Sequence, residues 1–214
     1  MSDQVVDGRR ARGDASRRSV LSRATDLASV DGLDGLTIGR LAAMSGHSKS
    51  SIATLFGSKQ SLQLATIAAA RQVFMATIVE PSRDEPRGVR RVATLMRRAL
   101  DYSRDRVFTG GCFFAATSAD IDSKPGPVRD AVRAAQSDWY GYVAAQLRYA
   151  VEGGELEEGS DAEAIAFVLI ALDEHANSRS LLFGDDDAYD RAAGAMRQQL
   201  LTVGADPELL TALA

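Results

Sequence analysis

The sequence predicts an all-α protein, and three observations carry that prediction. Apolar residues recur at spacings of three and four along nearly the whole chain, which is the pattern of amphipathic helices. No segment alternates apolar and polar residues as a half-buried strand would, and no internal repeat is evident. With 214 residues, 45% of them apolar and 25% charged, the chain has the composition of a globular protein.

Composition also excludes several classes of site. Cys112 is the only cysteine, so the chain holds no internal disulfide and no zinc site built on cysteine pairs. His47 and His175 are the only histidines, and we expect neither a metal nor a cofactor. No window approaches 18 consecutive apolar residues, and the start of the chain is polar and arginine-rich. We therefore expect a cytoplasmic protein without a membrane partner.

Charge is distributed unevenly along the chain. Residues 1–60 carry nine Lys and Arg against six Asp, whereas the whole chain has a net charge of -4. A basic head on an acidic body would steer one end of the molecule toward a polyanion. Chance asymmetry on solvated faces is the alternative.

The first helices are delimited by caps and glycines. A helix is predicted from Ser16 to Ser29, and the Asp-Gly pairs at 31–32 and 34–35 end it. Thr37 is an N-cap for a short helix that reaches Met44. The turn 45–47 contains a glycine, which closes helices in the left-handed conformation.

A second short helix and a longer one follow. Ser48 caps the helix Lys49–Phe56, Gly57 ends it, and Ser58 caps a longer helix that reaches at least Val73. Residues 80–88 contain two prolines and are predicted to be a connector. Apolar periodicity then predicts helices over 89–104, 111–118, 127–151, 162–172 and 188–203.

The two short helices have the proportions of a helix-turn-helix. Their predicted inner face is apolar, and their outer face is short, polar or cationic, which suits approach to phosphates and base edges. Any helical hairpin can show this pattern, so the residues alone also allow a module that docks a partner helix. The inner face comprises Ile38, Leu41, Ala42, Ile52 and Phe56, and the outer face Lys49, Ser50, Ser51 and Thr54.

The segment 36–64, LTIGRLAAMSGHSKSSIATLFGSKQSLQL, resembles the DNA-binding module of the tetracycline-repressor (TetR) family of bacterial transcriptional regulators. The resemblance begins near Arg18, and the run from Ser48 to Lys59 is its most specific part. It implies a homodimer that binds a pseudo-palindromic operator in double-stranded DNA and is released by a small-molecule effector.

The resemblance also implies roles for individual residues. Thr37 matches a cap that touches a phosphate, and Lys59 matches a further phosphate contact. Ala53 and Leu55 depart from the aromatic residues that the family often has there, so Ala53 offers a thymine methyl contact at most. The implied recognition-helix contacts are Ser48, Lys49, Ser50, Ser51 and Thr54.

Two basic features stay open at this point. His47 either tops the turn or contacts a phosphate. The second feature is an arginine-rich arm that is either a solvated tail or a minor-groove arm, and it comprises Arg9, Arg10, Arg12, Arg17 and Arg18. The predicted organisation is a disordered basic arm over 1–15, a three-helix DNA-binding domain over 16–60, and a helical bundle over 61–214 for effector binding and dimerisation.

Within that bundle, the segment 162–172 is apolar nearly all round, so either a second protomer or the rest of its own chain covers it. Aromatic residues and one histidine are the candidates for an effector pocket, although a residue of this kind is singly more often plain core. Cys112 is expected to pack as a small hydrophobe rather than act as a redox switch. The dimer candidates are Ile165, Leu169, Leu172, Ala176, Met196 and Leu200, and the effector candidates are Tyr102, Phe113, Phe114, Trp139, Tyr142 and His175.

Enzyme signatures are absent from the sequence. It contains no phosphate-binding glycine loop, no nucleophile elbow and no H-E-x-x-H zinc motif, and no catalytic residue is assigned. The expected function is that of a ligand-responsive homodimeric regulator, most simply a repressor. A non-specific architectural DNA-binding protein and a helical protein-interaction module are the alternatives.

Overall fold

The computed structural model describes residues 3–214, with side chains from Gly13 onward. Every regular element in this range is helical, which confirms the predicted fold class. The helices are α1 (Asp3–Asp31), α2 (Ile38–Ser45), α3 (Lys49–Phe56), α4 (Lys59–Phe74), α5 (Glu80–Ser82), α6 (Val89–Arg104), α7 (Phe113–Ile121), α8 (Pro127–Glu152), α9 (Ala162–Phe183) and α10 (Asp187–Thr202).

The chain forms two compact units, each built from two segments. Unit 1 comprises residues 1–71 and 108–132, and unit 2 comprises residues 72–107 and 133–214. This division differs from the boundary predicted after residue 60, because a later segment returns to the first unit.

Backbone hydrogen bonds to α1 explain that return. The Thr109 N–H donates to the Asp26 carboxylate at 2.8 Å, and the Gly110 N–H donates to the Ser29 hydroxyl at 3.0 Å. A Cβ on Gly110 would lie 2.0 Å from the Ser29 carbonyl oxygen, so only glycine allows this approach. At the other end of α7, Asp120 accepts from the Asp34 N–H at 3.0 Å.

Unit 1 has a core built by its first four helices. Helix α1 contributes Val20, Ala24 and Leu27, and the buried partners on the following elements are Leu36, Leu41, Ile52, Phe56 and Leu62. Ile38 and Ala42 pack against this cluster, so the inner face predicted for the two short helices is the one that the structure buries.

Helix α1 differs from its predicted extent. It begins at Asp3 rather than at residue 16, so the backbone of residues 3–15 is helical where a disordered arm was expected. No proline interrupts this stretch, and its arginine and alanine residues are good helix formers that offset the unfavourable Gly8 and Gly13.

Unit 2 is centred on α9, which packs against α6 and α10. The Asp161 carboxylate caps the start of α9 by accepting from the Glu163 and Ala164 N–H groups, each at 3.0 Å. The helix continues past the predicted end at Leu172 to Phe183, where Gly184 closes it with φ of 64°. A final 3-10 helix, Pro207–Leu213, packs against α6 and α10 and was not predicted.

Helix α4 continues without a break beyond Phe74. A π-helical turn, Met75–Val79, joins it to α5, which occupies part of the predicted connector. The combined segment Lys59–Ser82 is long and apolar enough to cross a membrane by length and composition. Core helices of soluble proteins pass the same test, and this segment buries Leu62, Ile67 and Ile78 inside the protein.

Candidate nucleic-acid interface and ligand groove

The turn between α2 and α3 has the geometry expected of a helix-turn-helix. Gly46 adopts φ of 70° and ψ of 6°, the left-handed conformation that ends α2. The chain then reverses within a few residues, and Leu41 and Ile52 meet in the core of unit 1. The tight turn therefore fixes the two helices against each other and leaves the opposite side of α3 in solvent.

Side-chain caps define where both helices start. The Thr37 hydroxyl accepts from the Arg40 N–H at 3.2 Å, and the Ser48 hydroxyl accepts from the Ser51 N–H at 3.1 Å. The Ser48 hydroxyl also lies 2.9 Å from that of Ser50 and 2.8 Å from that of Ser51. These bonds satisfy amides that the helix itself leaves unpaired, so each predicted N-cap is present.

The solvent side of α3 carries the predicted outer face. Lys49, Ser50, Ser51 and Thr54 are all exposed, and Ala53 is exposed beside them. The Thr54 hydroxyl donates back to the Ser50 carbonyl at 2.9 Å, which holds its side chain close to the helix. A face of such short side chains lets a helix approach another molecule closely.

A cation lies next to the start of α2. A Cβ on Gly39 would be 3.9 Å from the Lys49 Nζ and 4.0 Å from the Thr37 hydroxyl, so both groups lie close to Gly39 in the first turn of α2. A helix N-terminus carries unpaired amides and a partial positive charge, and both favour an anion. The Lys49 ammonium group and the Thr37 hydroxyl therefore both lie near the N-terminus of α2.

Lys59 has an intramolecular partner. Its ammonium donates to the Asp34 carbonyl at 2.9 Å, across the loop that joins α1 to α2. The side chain is exposed, so the ammonium retains donors that point into solvent. Lys59 thus fixes the loop and remains available to an anion.

The remaining basic candidates differ from one another. His47 is half-buried in the turn, and Arg18 is exposed on α1. Arg17 instead packs into unit 1, where its guanidinium lies 4.5 Å from the Phe56 ring centroid and donates to the Leu55 carbonyl at 2.8 Å. Arg17 therefore stabilises the end of α3. The side chains of Arg9, Arg10 and Arg12 lie outside the described residues.

The six aromatic and histidine effector candidates do not form one cluster. Phe113 and Phe114 belong to the core of unit 1, with their rings 5.3 Å apart, which corrects their grouping with the others. Tyr102 is buried in unit 2, Tyr142 is half-buried there, and His175 is exposed on α9. The sixth candidate, Trp139, lines a groove.

That groove lies within unit 2 between α8 and α9 and has a volume of about 520 Å³. The residues that line it recur three or four positions apart on both helices, and this spacing is the sequence signal from which the groove could have been predicted. Trp139 packs edge-on against Phe74 with ring centroids 5.1 Å apart. The lining residues are Arg133, Gln136, Ser137, Trp139, Tyr140 and Gly141 on α8, and Phe167, Ile170, Ala171 and Glu174 on α9.

Two consecutive carboxyl groups of α9 lie in apolar surroundings. Burial raises the pKa of Glu174, and a hydrogen bond from Gln136 opposes part of that rise. Burial, together with the charge of Glu174, raises the pKa of Asp173 to about 7. The Asp173 Oδ1 is buried and has no hydrogen-bond partner. Both groups therefore resist ionisation where they stand.

The six dimer candidates are mostly core residues. Ile165, Leu169 and Ala176 of α9 are buried within the protomer, as are Met196 and Leu200 of α10. Leu172 is half-buried. The five buried side chains pack inside their own chain, which corrects their assignment to a surface between protomers.

A different face of α9 is exposed and apolar. Phe167 is 66% exposed and Leu182 is 77% exposed, and Ala164 and Ala171 lie on the same stripe at helical spacing.

Across the part of the chain with described side chains, no cluster of three potential metal ligands occurs.

Comparison with known proteins places this chain in a family. Residues 88–196 match the family model of the tetracyclin repressor-like C-terminal domain. No curated protein matches the chain. A TetR-family transcriptional regulator from Agrobacterium tumefaciens has a similar structure, with 20% identity and a TM-score of 0.79, over 90% of this chain and all of that one.

Two further structures are similar. TylP, a TetR regulator from Streptomyces fradiae, shares 25% identity with a TM-score of 0.66, over 95% of this chain and 92% of that one. AibR, solved in complex with isovaleryl coenzyme A and operator DNA, shares 16% identity with a TM-score of 0.71, over 86% of this chain and 98% of that one. The helix-turn-helix and the matched C-terminal segment lead to one conclusion: the chain belongs to the TetR family of transcriptional regulators.

Proposed function

We propose that the chain is a homodimeric repressor that binds a pseudo-palindromic operator through α3 and releases it when a small-molecule effector binds unit 2. The observation that carries this proposal is the exposed polar face of α3, with the Lys49 ammonium beside the N-terminus of α2. A recognition helix needs such a face to come within hydrogen-bond distance of base edges.

The proposed contacts to DNA are of two kinds: contacts to phosphates, which position the protein, and contacts to bases, which recognise the sequence. Lys49 and Thr37 bind one phosphate at the start of α2, and Lys59 binds another near the loop that it fixes. The exposed hydroxyls and the Ala53 methyl group then face the bases in the major groove. His47, in the turn, adds a further phosphate contact. The hydroxyls that carry the reading are Ser48, Ser50, Ser51 and Thr54.

Dimerisation follows from the exposed stripe of α9. Phe167 and Leu182 expose large apolar surfaces that a second copy would remove from water, and Ala164 and Ala171 on the same stripe allow close helix approach. To bind a pseudo-palindromic operator, such a dimer must present its two recognition helices about 34–36 Å apart, one turn of DNA. Acting on DNA, the dimer would reside in the cytoplasm.

Release requires an effector with different affinities for two states of the dimer. AibR binds both isovaleryl coenzyme A and operator DNA, which shows that its fold accommodates the two ligand classes. In this chain, a coupling of about 1–3 kcal/mol between the two sites would change operator affinity by about 5- to 150-fold.

Fluorescence anisotropy tests the proposal directly. The purified protein is titrated onto the DNA upstream of its own gene and onto a scrambled duplex, at two salt concentrations. We expect the upstream DNA to bind at least about a thousandfold more tightly, as specific complexes do. Equal binding to both duplexes would favour an architectural role, and no binding at low salt would favour a protein-interaction module.

The variant Lys49→Ala tests the carrying observation. We expect at least about tenfold weaker binding and a shallower dependence on salt, by about one unit of log–log slope, because one phosphate contact is lost. Arg90→Ala on α6 removes the same charge outside the helix-turn-helix and should leave both quantities unchanged. Unaltered affinity in Lys49→Ala would contradict the assignment of α3.

A further inference from the structure

We propose that Arg106 is a positioning residue that couples unit 2 to unit 1, because its guanidinium holds the connector through which the chain passes from α6 toward α7. The coupling is argued from contacts inside each unit and from the connectivity of the chain. Its use in operator binding rests on the proposed function, and different measurements test the two.

The backbone of Arg106 adopts a conformation that favours glycine. Its φ is 52°, and among the described residues no other non-glycine residue has a positive φ. The Val107 N–H donates to the Tyr102 carbonyl, and the Arg106 N–H donates to the Ser103 carbonyl, each at 3.3 Å. This pair of bonds is the Schellman motif that ends α6, and the left-handed position in that motif is usually glycine. An arginine there costs free energy that a glycine would not, and the contacts of its side chain offset that cost.

The Arg106 guanidinium binds both helices that pack against α6. It donates to the Ser180 hydroxyl of α9 at 2.7 Å and to the Tyr189 hydroxyl of α10 at 3.1 Å. Ser180 in turn donates to the Asp186 carboxylate, which lies 3.8 Å from the guanidinium in the turn between α9 and α10. Ser180 and Tyr189 are buried, so their positions are fixed by packing. We call this set of contacts the Arg106 clamp.

The chain is held again on the other side of the connector. Val107 alone lies between Arg106 and Phe108, where unit 1 begins again. Phe108 is buried, and the N–H groups of the next two residues donate to the side chains of Asp26 and Ser29 on α1. A stretch this short cannot absorb a large displacement at one end without moving the other.

The other two passages between the units lie inside helices. Residues 71 and 72 are consecutive in α4, and residues 132 and 133 are consecutive in α8. The connector after α6 is not helical, so it depends on the contacts at its two ends. Because α9 carries the exposed apolar stripe, the Arg106 clamp links the helix of the proposed dimer surface to the segment that holds α1.

Native-state hydrogen exchange, measured by NMR, tests the coupling directly. In Arg106→Ala, we expect the Thr109 and Gly110 amides to exchange at least about tenfold faster, because their segment loses its anchor in unit 2. The Asp34 amide, which donates to Asp120 in the same unit, should keep its protection. A clamp that stabilises unit 2 alone would expose amides of α10 and leave Thr109 and Gly110 protected, and this result would overturn the proposal.

Arg104→Ala is the matched control. Arg104 forms an ion pair with Asp190 of α10 and lies 5.4 Å from the Tyr189 ring centroid, so its loss also weakens the contact between α6 and α10. Arg104 belongs to the helix and does not hold the connector. We expect the Thr109 and Gly110 amides to exchange at the normal rate in this variant. Equal acceleration in both variants would mean that a general loss of stability opens the segment, and it would overturn the proposal.

Arg106→Gly separates the backbone from the guanidinium. Glycine adopts the positive φ without strain, so this variant should be more stable to denaturant than Arg106→Ala, and it provides a folded protein if the alanine variant does not fold. The Thr109 and Gly110 amides should still exchange rapidly, because the clamp is missing. Full protection in Arg106→Gly would show that the backbone turn alone holds the connector, which would overturn the proposal.

Fluorescence anisotropy separates the coupling from the proposed function. A dimer must hold two recognition helices at one spacing, so Arg106→Gly should bind the upstream duplex at least about tenfold more weakly and the scrambled duplex as before. If the amides open but the affinity for the upstream duplex is unchanged, the coupling stands and its use in operator binding fails. If the unmodified protein shows no preference for the upstream duplex, the proposed function fails and hydrogen exchange still decides the coupling.

Discussion

The helix-turn-helix of unit 1 and helix α9 of unit 2 differ in the residues that determine their structure: neighbouring residues do so in the first, and distant ones in the second. In unit 1, the hydroxyls of Thr37 and Ser48 and the left-handed Gly46 set the helix ends within a few residues of the chain. In α9, apolar residues occur on nearly every side, so packing against α6 and α10 decides which side is core. Caps and turns can therefore be identified locally, whereas the faces of an apolar helix cannot.

The largest expected effect tests the assignment of faces on α9. Leu169 is fully buried, so Leu169→Ala should lower the free energy of unfolding by about 3 kcal/mol. Phe167→Ala removes a larger side chain from the exposed stripe and should cost the protomer less than about 1 kcal/mol, while it weakens dimerisation. Chemical denaturation and sedimentation measure the two quantities. Equal costs in denaturation would remove the distinction between the faces.

A second experiment concerns the buried carboxyl group of α9. The pKa of Asp173 is raised to about 7, so its protonated form is favoured in the folded state and stability falls as pH rises from about 4 through 7. Asp173→Asn removes this penalty. We expect it to raise the free energy of unfolding by about 2 kcal/mol at pH 8, with the difference vanishing toward pH 4.

Thermal unfolding over that pH range measures the effect. Glu152→Gln, at an exposed position near the end of α8, is the matched control and should leave the pH profile unaltered. A gain for Asp173→Asn that is independent of pH would show that the ionised carboxylate is not its source.

The smallest expected effect tests whether a single N-cap residue determines where α3 begins. Ser48→Ala removes the N-cap of α3 and should lower the stability of unit 1 by about 1 kcal/mol. Ser51→Ala removes a neighbouring exposed hydroxyl and leaves the cap in place, so it should cost little. Hydrogen exchange of the α3 amides distinguishes them, and equal protection in both variants would mean that the cap is redundant.

Most of the helix-turn-helix could be predicted from the sequence because its signals are short-range. Predicted and observed bounds agree closely for α2 and α3, and Leu41 and Ile52 lie on the predicted inner face. The roles of Lys49 and Lys59 at DNA remain predictions. Lys59 also has a structural role that its sequence context did not reveal, since Asp34 lies 25 residues away.

The ligand and dimer residues were harder to predict for two physical reasons. The helix predicted over 162–172 rests on apolar residues alone, but α9 continues beyond it, and its polar Asp173 and Asn177 are buried. Phe113 and Phe114 resembled pocket walls, although their segment returns to α1 through contacts made far along the chain. In both places long-range packing overrode the local pattern.

The close approach at Gly110 limits which mutants a genetic screen can recover. A side chain there would collide with the Ser29 backbone, so a substituted protein would not fold its DNA-binding unit and would not bind DNA. A screen for mutants that bind DNA but ignore the effector would therefore return nothing at position 110. The segment that contains Gly110 belongs to unit 1 and is connected to unit 2 at both ends. Such a screen would therefore not reveal whether Gly110 takes part in the response to the effector.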